Sequence, residues 1–430
     1  MLADRRVRQL TTLARTTPVV LTELALALIV IGLLAGVFTA LGVQSRAQAV
    51  DDLAVRSGPL SVAAEEIYRS LSDADATATG AFLSGGLEPA TARQRYEADI
   101  AQASGALAVA VAAHDPADIT ARNSALATLS EQLPVYTGLV ETARADNRQG
   151  LPLGAAYQRE ASNLMRARLL PAAQDLYLAE SAQVNADQNS AGALPVAELL
   201  LALIVLGALV TGQVLLRRRT NRIFNAGLLA ATAAAVVSLL WVAVASVAVM
   251  ANIHASRSDG SAQVEVLAKA RIATLSARAD ETLTLVARGA GQQYQADYEQ
   301  VSKQLGDLLN SAGSLATDDA VRAKIDAAKQ GAATWASVHA KVRAADDGGD
   351  YGTAVGLVTD QTSAQGAGTA FDNLDKDLRD AINQTRSAFD RAVAGANSAL
   401  TGTIVGVAVL ALVVAGGSAA GIWRRLKDYR

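Results

Sequence analysis

The chain contains no cysteine, and aromatic residues make up only 4% of its 430 residues. The absence of cysteine excludes disulfides, thiolate chemistry and cysteine metal sites. Strand signals are scarce too, since β-branched runs are few and no alternating pattern of useful length occurs. All eight prolines lie at or before Pro195, and no lysine occurs before Lys269. Stability must therefore come from helix packing, and the two halves of the chain differ in composition.

Apolar residues are abundant, at 51% of the chain with a mean hydropathy of +0.23. They gather in four runs at 18–43, 194–216, 223–250 and 401–423. A run of about 20 residues in a helix crosses a ~30 Å hydrocarbon core. The first run, followed by Ala-Gln-Ala at 47–49, also resembles a signal peptide. Its length of about 25 residues exceeds a signal-peptide core and favours an uncleaved anchor.

Arginine and lysine in the short flanks predict the orientation of these spans. Basic residues precede the first span, separate spans two and three, and follow the fourth. We therefore expect segments 1–17, 217–222 and 424–430 in the cytoplasm of a plasma-membrane protein. Segments 44–193 and 251–400 are then two extracytoplasmic domains. The loop between spans two and three is a candidate contact for a cytoplasmic partner through Arg217, Arg218, Arg219 and Arg222.

The order span–domain–span occurs twice, which suggests an internal repeat. Asp-Ala-Asp-Ala-Thr-Ala-Thr at 73–79 aligns with Arg-Ala-Asp-Glu-Thr-Leu-Thr at 278–284. Tyr96 aligns with Tyr298, and the helix containing Tyr136 aligns with the one containing Trp335. The offset between aligned residues drifts by only a few positions. We interpret the chain as an old duplication whose copies need not share a ligand.

Each outer segment is rich in helix-forming residues and is divided by Gly- and Pro-containing breaks. The breaks predict four helices in the first domain, at about 44–84, 89–113, 116–149 and 153–193. In the second domain they fall at 288–291, 311–319 and 346–352, with a helix start at Thr317, Asp318 and Asp319. The predicted fold is all-α, with four transmembrane helices and two tandem extracytoplasmic antiparallel four-helix bundles.

Two membrane helices that run into a four-helix bundle resemble the sensor units of bacterial chemoreceptors and histidine kinases. Two such units in tandem, with only basic stubs inside, resemble an actinobacterial family of four-span signal-relay proteins. That resemblance rests on topology, length and composition. It implies a relay of amino-acid sensing from an extracytoplasmic solute-binding lipoprotein to the cytoplasmic Ser/Thr protein kinase G.

No catalytic constellation is present in the sequence. Phosphate-loop, dinucleotide-binding and nucleophile-elbow motifs are missing. His114, His254 and His339 lack metal-ligand spacing, and we expect them to be ordinary surface histidines. The sequence therefore predicts a protein that is not an enzyme and that uses no cofactor and no metal.

One layer of the first domain is a candidate recognition site. Pro134 and Pro171 fall inside predicted helices, where proline kinks or breaks the helix. Antiparallel packing would place both prolines at one height, beside a set of Arg and Tyr side chains. Guanidinium groups bind carboxylates in a bidentate manner, so a carboxylate ligand or a protein loop could bind there. Solvated arginines beside ordinary kinks are the alternative. The candidate residues are Tyr68, Arg69, Tyr136, Arg166 and Arg168.

Small and charged residues within the spans bear on how the spans pack. Small residues at four-residue spacing, such as Gly32 and Gly36 or Gly417 and Gly421, allow close helix contact in membranes. Such contact is made either within one molecule or with a second membrane subunit. Glu198 lies near the outer end of the second span, where we expect an interfacial side chain.

These features together predict a non-catalytic transmembrane signal transducer. Its expected partners are the lipid bilayer, an extracytoplasmic solute-binding lipoprotein, a cytoplasmic kinase or other effector, and a second copy of the chain. Nucleic acid is not expected. Three other functions stay open: an envelope-organising structural protein, a permease-like subunit of a four-span ABC system, and a transporter. The transporter is disfavoured because the spans lack paired polar residues at mid-membrane.

Overall fold

The structure, a computed structural model, describes residues 17–83, 88–117, 124–220 and 225–427. Within these ranges the protein is all-α and contains no strand, as predicted. The helices are α1 (Thr17–Asp52), α2 (Gly58–Leu83), α3 (Ala90–Ala113), α4 (Ala125–Arg148), α5 (Leu153–Leu164), α6 (Leu170–Ala191), α7 (Val196–Thr220), α8 (Ala226–Ser256), α9 (Ala262–Val286), α10 (Gln292–Leu315), α11 (Asp319–Asp347), α12 (Tyr351–Thr359), α13 (Ala367–Leu400) and α14 (Thr403–Lys427).

The chain divides into two compact units. The apolar unit comprises Met1–Asp51, Gln188–His254 and Val393–Arg430. The polar unit comprises Asp52–Asp187 and Ala255–Ala392. Both predicted bundles therefore belong to one unit, an arrangement that their tandem order in the chain did not predict.

Helix boundaries follow local sequence signals. Asp318 caps α11, because its side chain accepts a hydrogen bond of 2.7 Å from the backbone N–H of Ala320. Gly150 and Gly349 follow α4 and α11 with φ of +67° and +82°, a region that favours glycine. These two glycines occupy the same turn of the two copies. The repeat is therefore visible in the backbone as well as in the sequence.

Two predicted helices differ from those observed. Of the helix expected at 116–149, residues 116–117 are helical, 118–123 lie outside the described ranges, and α4 begins at Ala125. The last helix of the second bundle is preceded by a break at 360–366, which separates α12 from α13. Asp360 stabilises this break, since its carboxylate accepts hydrogen bonds from the backbone N–H groups of Thr362 and Ser363.

π-Helical turns interrupt the helices of the polar unit at three places in the described chain. Leu53–Ser57 precedes α2 and Arg257–Ser261 precedes α9, at equivalent places of the two copies. The third, Met165–Leu169, lies just before Pro171. Proline has no N–H to donate to the preceding turn, which favours a local change of helical pitch. The predicted irregularity at Pro171 is thus a π-turn that carries Arg166 and Arg168.

The apolar unit contains the parts of the chain that fit a membrane. Among the described residues, four helical stretches each hold a segment long and apolar enough to cross a bilayer: Val19–Leu83, Leu153–Arg218, Ala226–Val286 and Ala367–Arg425. A Cβ on Gly417 would lie 2.7 Å from the carbonyl oxygen of Gly227, so α14 and α8 are in close contact. The glycine spacing in this part of α14 thus serves packing within one molecule.

A buried ion pair links two helices of the apolar unit. Arg46 of α1 donates to Glu198 of α7 at 3.2 Å, and both side chains are largely buried. Glu198, expected to be a simple interfacial side chain, therefore has an intramolecular partner. Charged side chains near a membrane commonly pair with one another in this way.

Each bundle of the polar unit has one large hydrophobic core. The first surrounds Tyr136, Met165 and Leu129, and the second surrounds Trp335, Leu374 and Ile325. Ala268 of α9 belongs to the first core, because α9 packs against α2. We call the whole contact between the two bundles the seam.

Candidate functional site

Ion pairs cross the seam beside its apolar contacts. Arg95 of the first bundle bridges Asp73 of its own bundle, at 3.0 Å, and Asp372 of the second bundle, at 3.1 Å. Arg386 of α13 pairs with the buried Glu65 of α2. Because buried ion pairs cost desolvation, they add less stability than apolar packing of the same volume. The two bundles are therefore joined by ion pairs as well as by apolar contacts.

Two cavities lie along the seam, and each is bounded by α2, α9 and further elements of both bundles. Cavity A has a volume of about 240 Å³ and is lined by Ser72, Asp75, Arg166, Leu170, Leu275, Ser276, Ala279, Asp280, Asp297, Gln300 and Val301. Cavity B has a volume of about 210 Å³ and is lined by Asp73, Ala76, Thr77, Gly80, Ala81, Pro89, Thr91, Ala92, Arg95, Arg278, Thr359, Gln361, Phe371 and Asp372. Both are smaller than the roughly 300–1,000 Å³ typical of pockets for drug-sized ligands.

Cavity A brings together the aligned carboxyl groups of the two copies, Asp75 and Asp280. Arg166, from the π-turn of the first bundle, forms an ion pair with Asp280 at 2.5 Å. Its guanidinium also lies 5.5 Å from the centre of the Tyr294 ring. The Nη2 atom of Arg166 is buried and makes no hydrogen bond within the described chain. Arg166 of the first bundle thus pairs with a carboxyl group of the second bundle, and its Nη2 donor has no partner.

Burial sets the protonation of these carboxyl groups. It raises the pKa of Asp280 to about 6, with a further contribution from the neighbouring charges of Asp297 and Asp75, although Arg166 opposes the shift. Burial also raises the pKa of Asp75, despite Arg166 and the hydrogen bonds from Ser162 and Tyr136. Both carboxyl groups therefore hold their protons more tightly than carboxyl groups in water.

Cavity B differs from cavity A in that its charges are paired. Arg95 is shared between Asp73 and Asp372, and Arg278 donates to Glu281 at 2.6 Å and to the carbonyl of Val358 at 2.9 Å. Among the described residues, no buried side-chain polar atom that lines cavity B lacks a hydrogen-bond partner. Cavity B is thus internally satisfied, whereas cavity A is not.

The candidate recognition layer of the sequence does not form a single site. Arg166 lines cavity A, and Tyr68 lies beside it with its hydroxyl bonded to Ser276. The hydroxyl of Tyr136 is buried in the first core, where it donates to Asp75 at 3.3 Å. Arg69 is engaged by acidic residues of its own bundle, including Glu66, and Arg168 is exposed.

The basic loop predicted to contact a cytoplasmic partner is only partly described. Arg217 and Arg218 are exposed at the end of α7. Arg219 belongs to the same helix, and Arg222 lies outside the described residues. The role assigned to these four residues stays a prediction.

One histidine prediction is wrong. His339 is 5% exposed and buried in the second bundle, where it contacts the fully buried Glu281 at 2.9 Å and stacks on Tyr298. Burial raises the pKa of Glu281, but the hydrogen bond from His339 and the charge of Arg278 outweigh it, and the net shift is downward. Glu281 thus stays charged inside the core. Within a helix, a solvated and a buried histidine look alike in sequence.

The acidic residues of cavity A were not recognised as a site from the sequence alone. The only indication of them in the sequence was the alignment of 73–79 with 278–284, in which Asp75 and Asp280 are equivalent positions. Asp297, Ser72 and Ser276 carried no signal, because their proximity depends on how the two bundles pack. The described residues contain no group of three His, Cys, Asp or Glu side chains arranged to hold a metal ion.

The fold and site define a multi-pass membrane protein with a helical polar unit. Residues 49–189 match the family model of the Actinobacterial sensor domain. This segment includes the whole first bundle and contributes Ser72, Asp75 and Arg166 to cavity A. No curated protein and no solved structure matches the chain. The match and the four apolar helices together indicate a sensory role at a membrane.

Proposed function

We propose that this chain is a non-catalytic transmembrane sensor, in which a ligand at the seam of the polar unit changes the contact between the two bundles. The observation that carries the proposal is cavity A, a partly charged cavity between two bundles in a chain that matches a sensor domain. A ligand that binds two packed elements together stabilises one arrangement of them over others. Cavity A touches helical elements of both bundles, so its occupancy biases their packing.

The signal then passes along the chain to the cytoplasmic face. The four stretches that hold the apolar segments also include helices of the polar unit, namely α2, α6, α9 and α13. Helix shifts of about 1–2 Å are a known mode of switching. The basic segment at Arg217 and Arg218 is too short to signal alone, so the proposal requires a cytoplasmic effector such as a Ser/Thr kinase pathway. A solute-binding lipoprotein on the other side would deliver the ligand.

Site-specific crosslinking in cells tests this function. A photoreactive amino acid at position 217 captures proteins that contact the basic segment, and mass spectrometry identifies them. We expect a cytoplasmic kinase or effector whose crosslinking yield changes in the Arg166→Ala variant. Arg168→Ala is the matched control, because Arg168 belongs to the same π-turn but is exposed. Capture of only envelope proteins or copies of the chain would instead support the structural alternative.

A further inference from the structure

Cavity A has more acidic than basic groups. Its lining contains three carboxyl groups, from Asp75, Asp280 and Asp297, and one guanidinium, from Arg166. One oxygen of Asp280 is already paired with Arg166, whereas Asp75 is held by hydroxyl groups such as that of Ser162. An anionic ligand would add charge of the same sign to this group. A cationic ligand would supply the missing counter-charge.

A second observation concerns a buried hydroxyl group in the lining. Ser72 lines cavity A, is 4% exposed, and its hydroxyl oxygen has no hydrogen-bond partner in the described chain. A buried hydroxyl without a partner costs free energy, and native structures contain few of them. Nη2 of Arg166 is a second unpaired polar atom of this lining, but it is a donor, which a cationic ligand does not satisfy. Cavity B, with a similar volume, has none among its described lining residues.

We propose that cavity A binds a small organic cation whose ammonium group lies among Asp75, Asp280 and Asp297, with its hydrogen bonds completed by the hydroxyl of Ser72. The ammonium group has three donors, and carboxylate and hydroxyl oxygens of the lining can accept hydrogen bonds from them. The volume of about 240 Å³ limits the ligand to less than drug size. This inference rests on the proposed sensor function and adds the ligand class.

Direct binding to the purified full-length chain in nanodiscs tests the ligand class. The probes are 1,4-diaminobutane and propylamine as cations, propionate as an anion of similar size, and 1-propanol as a neutral compound. Isothermal titration calorimetry measures each. We expect binding of the amines and none of propionate or propanol. Binding of propionate in preference to the amines would overturn the inference.

Two matched variants locate the site. Asp297 lies at the partly exposed side of cavity A, so Asp297→Asn is expected to fold. Glu299→Gln removes an exposed carboxylate from the same helix, α10, outside the cavity. Because a charge-assisted hydrogen bond is lost, Asp297→Asn should weaken amine binding by about fivefold to tenfold, and Glu299→Gln by less than about twofold. Equal effects of the two variants would overturn the assignment to cavity A.

The two proposals fail in different ways. If amines bind in an Asp297-dependent manner but never change the crosslinking from position 217, the ligand class stands and the sensor function fails. If Arg166→Ala changes that crosslinking but no amine binds, the sensor function stands and the ligand class is wrong.

Discussion

Replacing Asp280 by asparagine should make the polar unit more stable relative to the wild type as the pH rises. Asp280 has a pKa of about 6 in the folded protein, against an ordinary value of 3.8. The folded state therefore holds this proton more tightly than the unfolded state. The cost of ionising Asp280 is absent below about pH 4, grows as the pH rises, and is fully present above about pH 6. Asparagine does not ionise, so the folded variant does not have this cost.

The magnitude follows from the size of the shift. A shift of about two pKa units corresponds to roughly 3 kcal/mol at about 1.36 kcal/mol per unit. Asp280 is 2% exposed, so solvent screening reduces this little. The difference in free energy of unfolding between Asp280→Asn and the wild type should thus move by up to ~3 kcal/mol in favour of the variant between about pH 4 and about pH 8. That is roughly 5–10 °C in Tm.

Tryptophan fluorescence provides the assay. Trp335 is buried in the polar unit, whereas Trp241 and Trp423 lie in the apolar unit and can be replaced by phenylalanine. Thermal unfolding is then followed at several pH values for Asp280→Asn and the wild type. Asp319→Asn is the control, because the side chain of Asp319 is 95% exposed. A difference that stays flat, or that favours the wild type as the pH rises, would refute the reasoning.

Two further predictions concern other parts of the molecule. His339→Ala should destabilise the polar unit by about 2–4 kcal/mol in denaturant titrations, because the buried carboxylate of Glu281 loses a partner; an effect below about 0.5 kcal/mol, on the order of a surface substitution, would contradict the buried pair. Gly417→Ala should destabilise the detergent-solubilised chain by about 1–3 kcal/mol and so lower its Tm, since the new Cβ would meet Gly227. Gly416→Ala, with nothing within 4 Å of its Cβ, should have no such effect, and equal Tm values for the two variants would show that α14 does not pack as described.

The all-α fold, the four apolar helices and most helix ends could be predicted from the sequence, because each depends on local residues. Asp318 illustrates this, since a capping side chain acts within its own first turn. The sequence could not predict that His339 is buried or that Arg46 pairs with Glu198, because both features depend on a neighbouring helix. Cavity A is the extreme case. Its lining comes from both copies of the repeat, and no local pattern fixes how two bundles pack.

The difference between the two cavities bears on how the response of the protein depends on ligand concentration. A protein whose duplicated halves kept two equal cavities would take two ligands per chain, and occupancy of one could alter the other. Here the charged groups that line cavity B are paired with one another, and the proposed site is cavity A alone, one per chain. A single site gives a hyperbolic response, graded over about two decades of concentration, and any steeper response would have to come from contacts between chains.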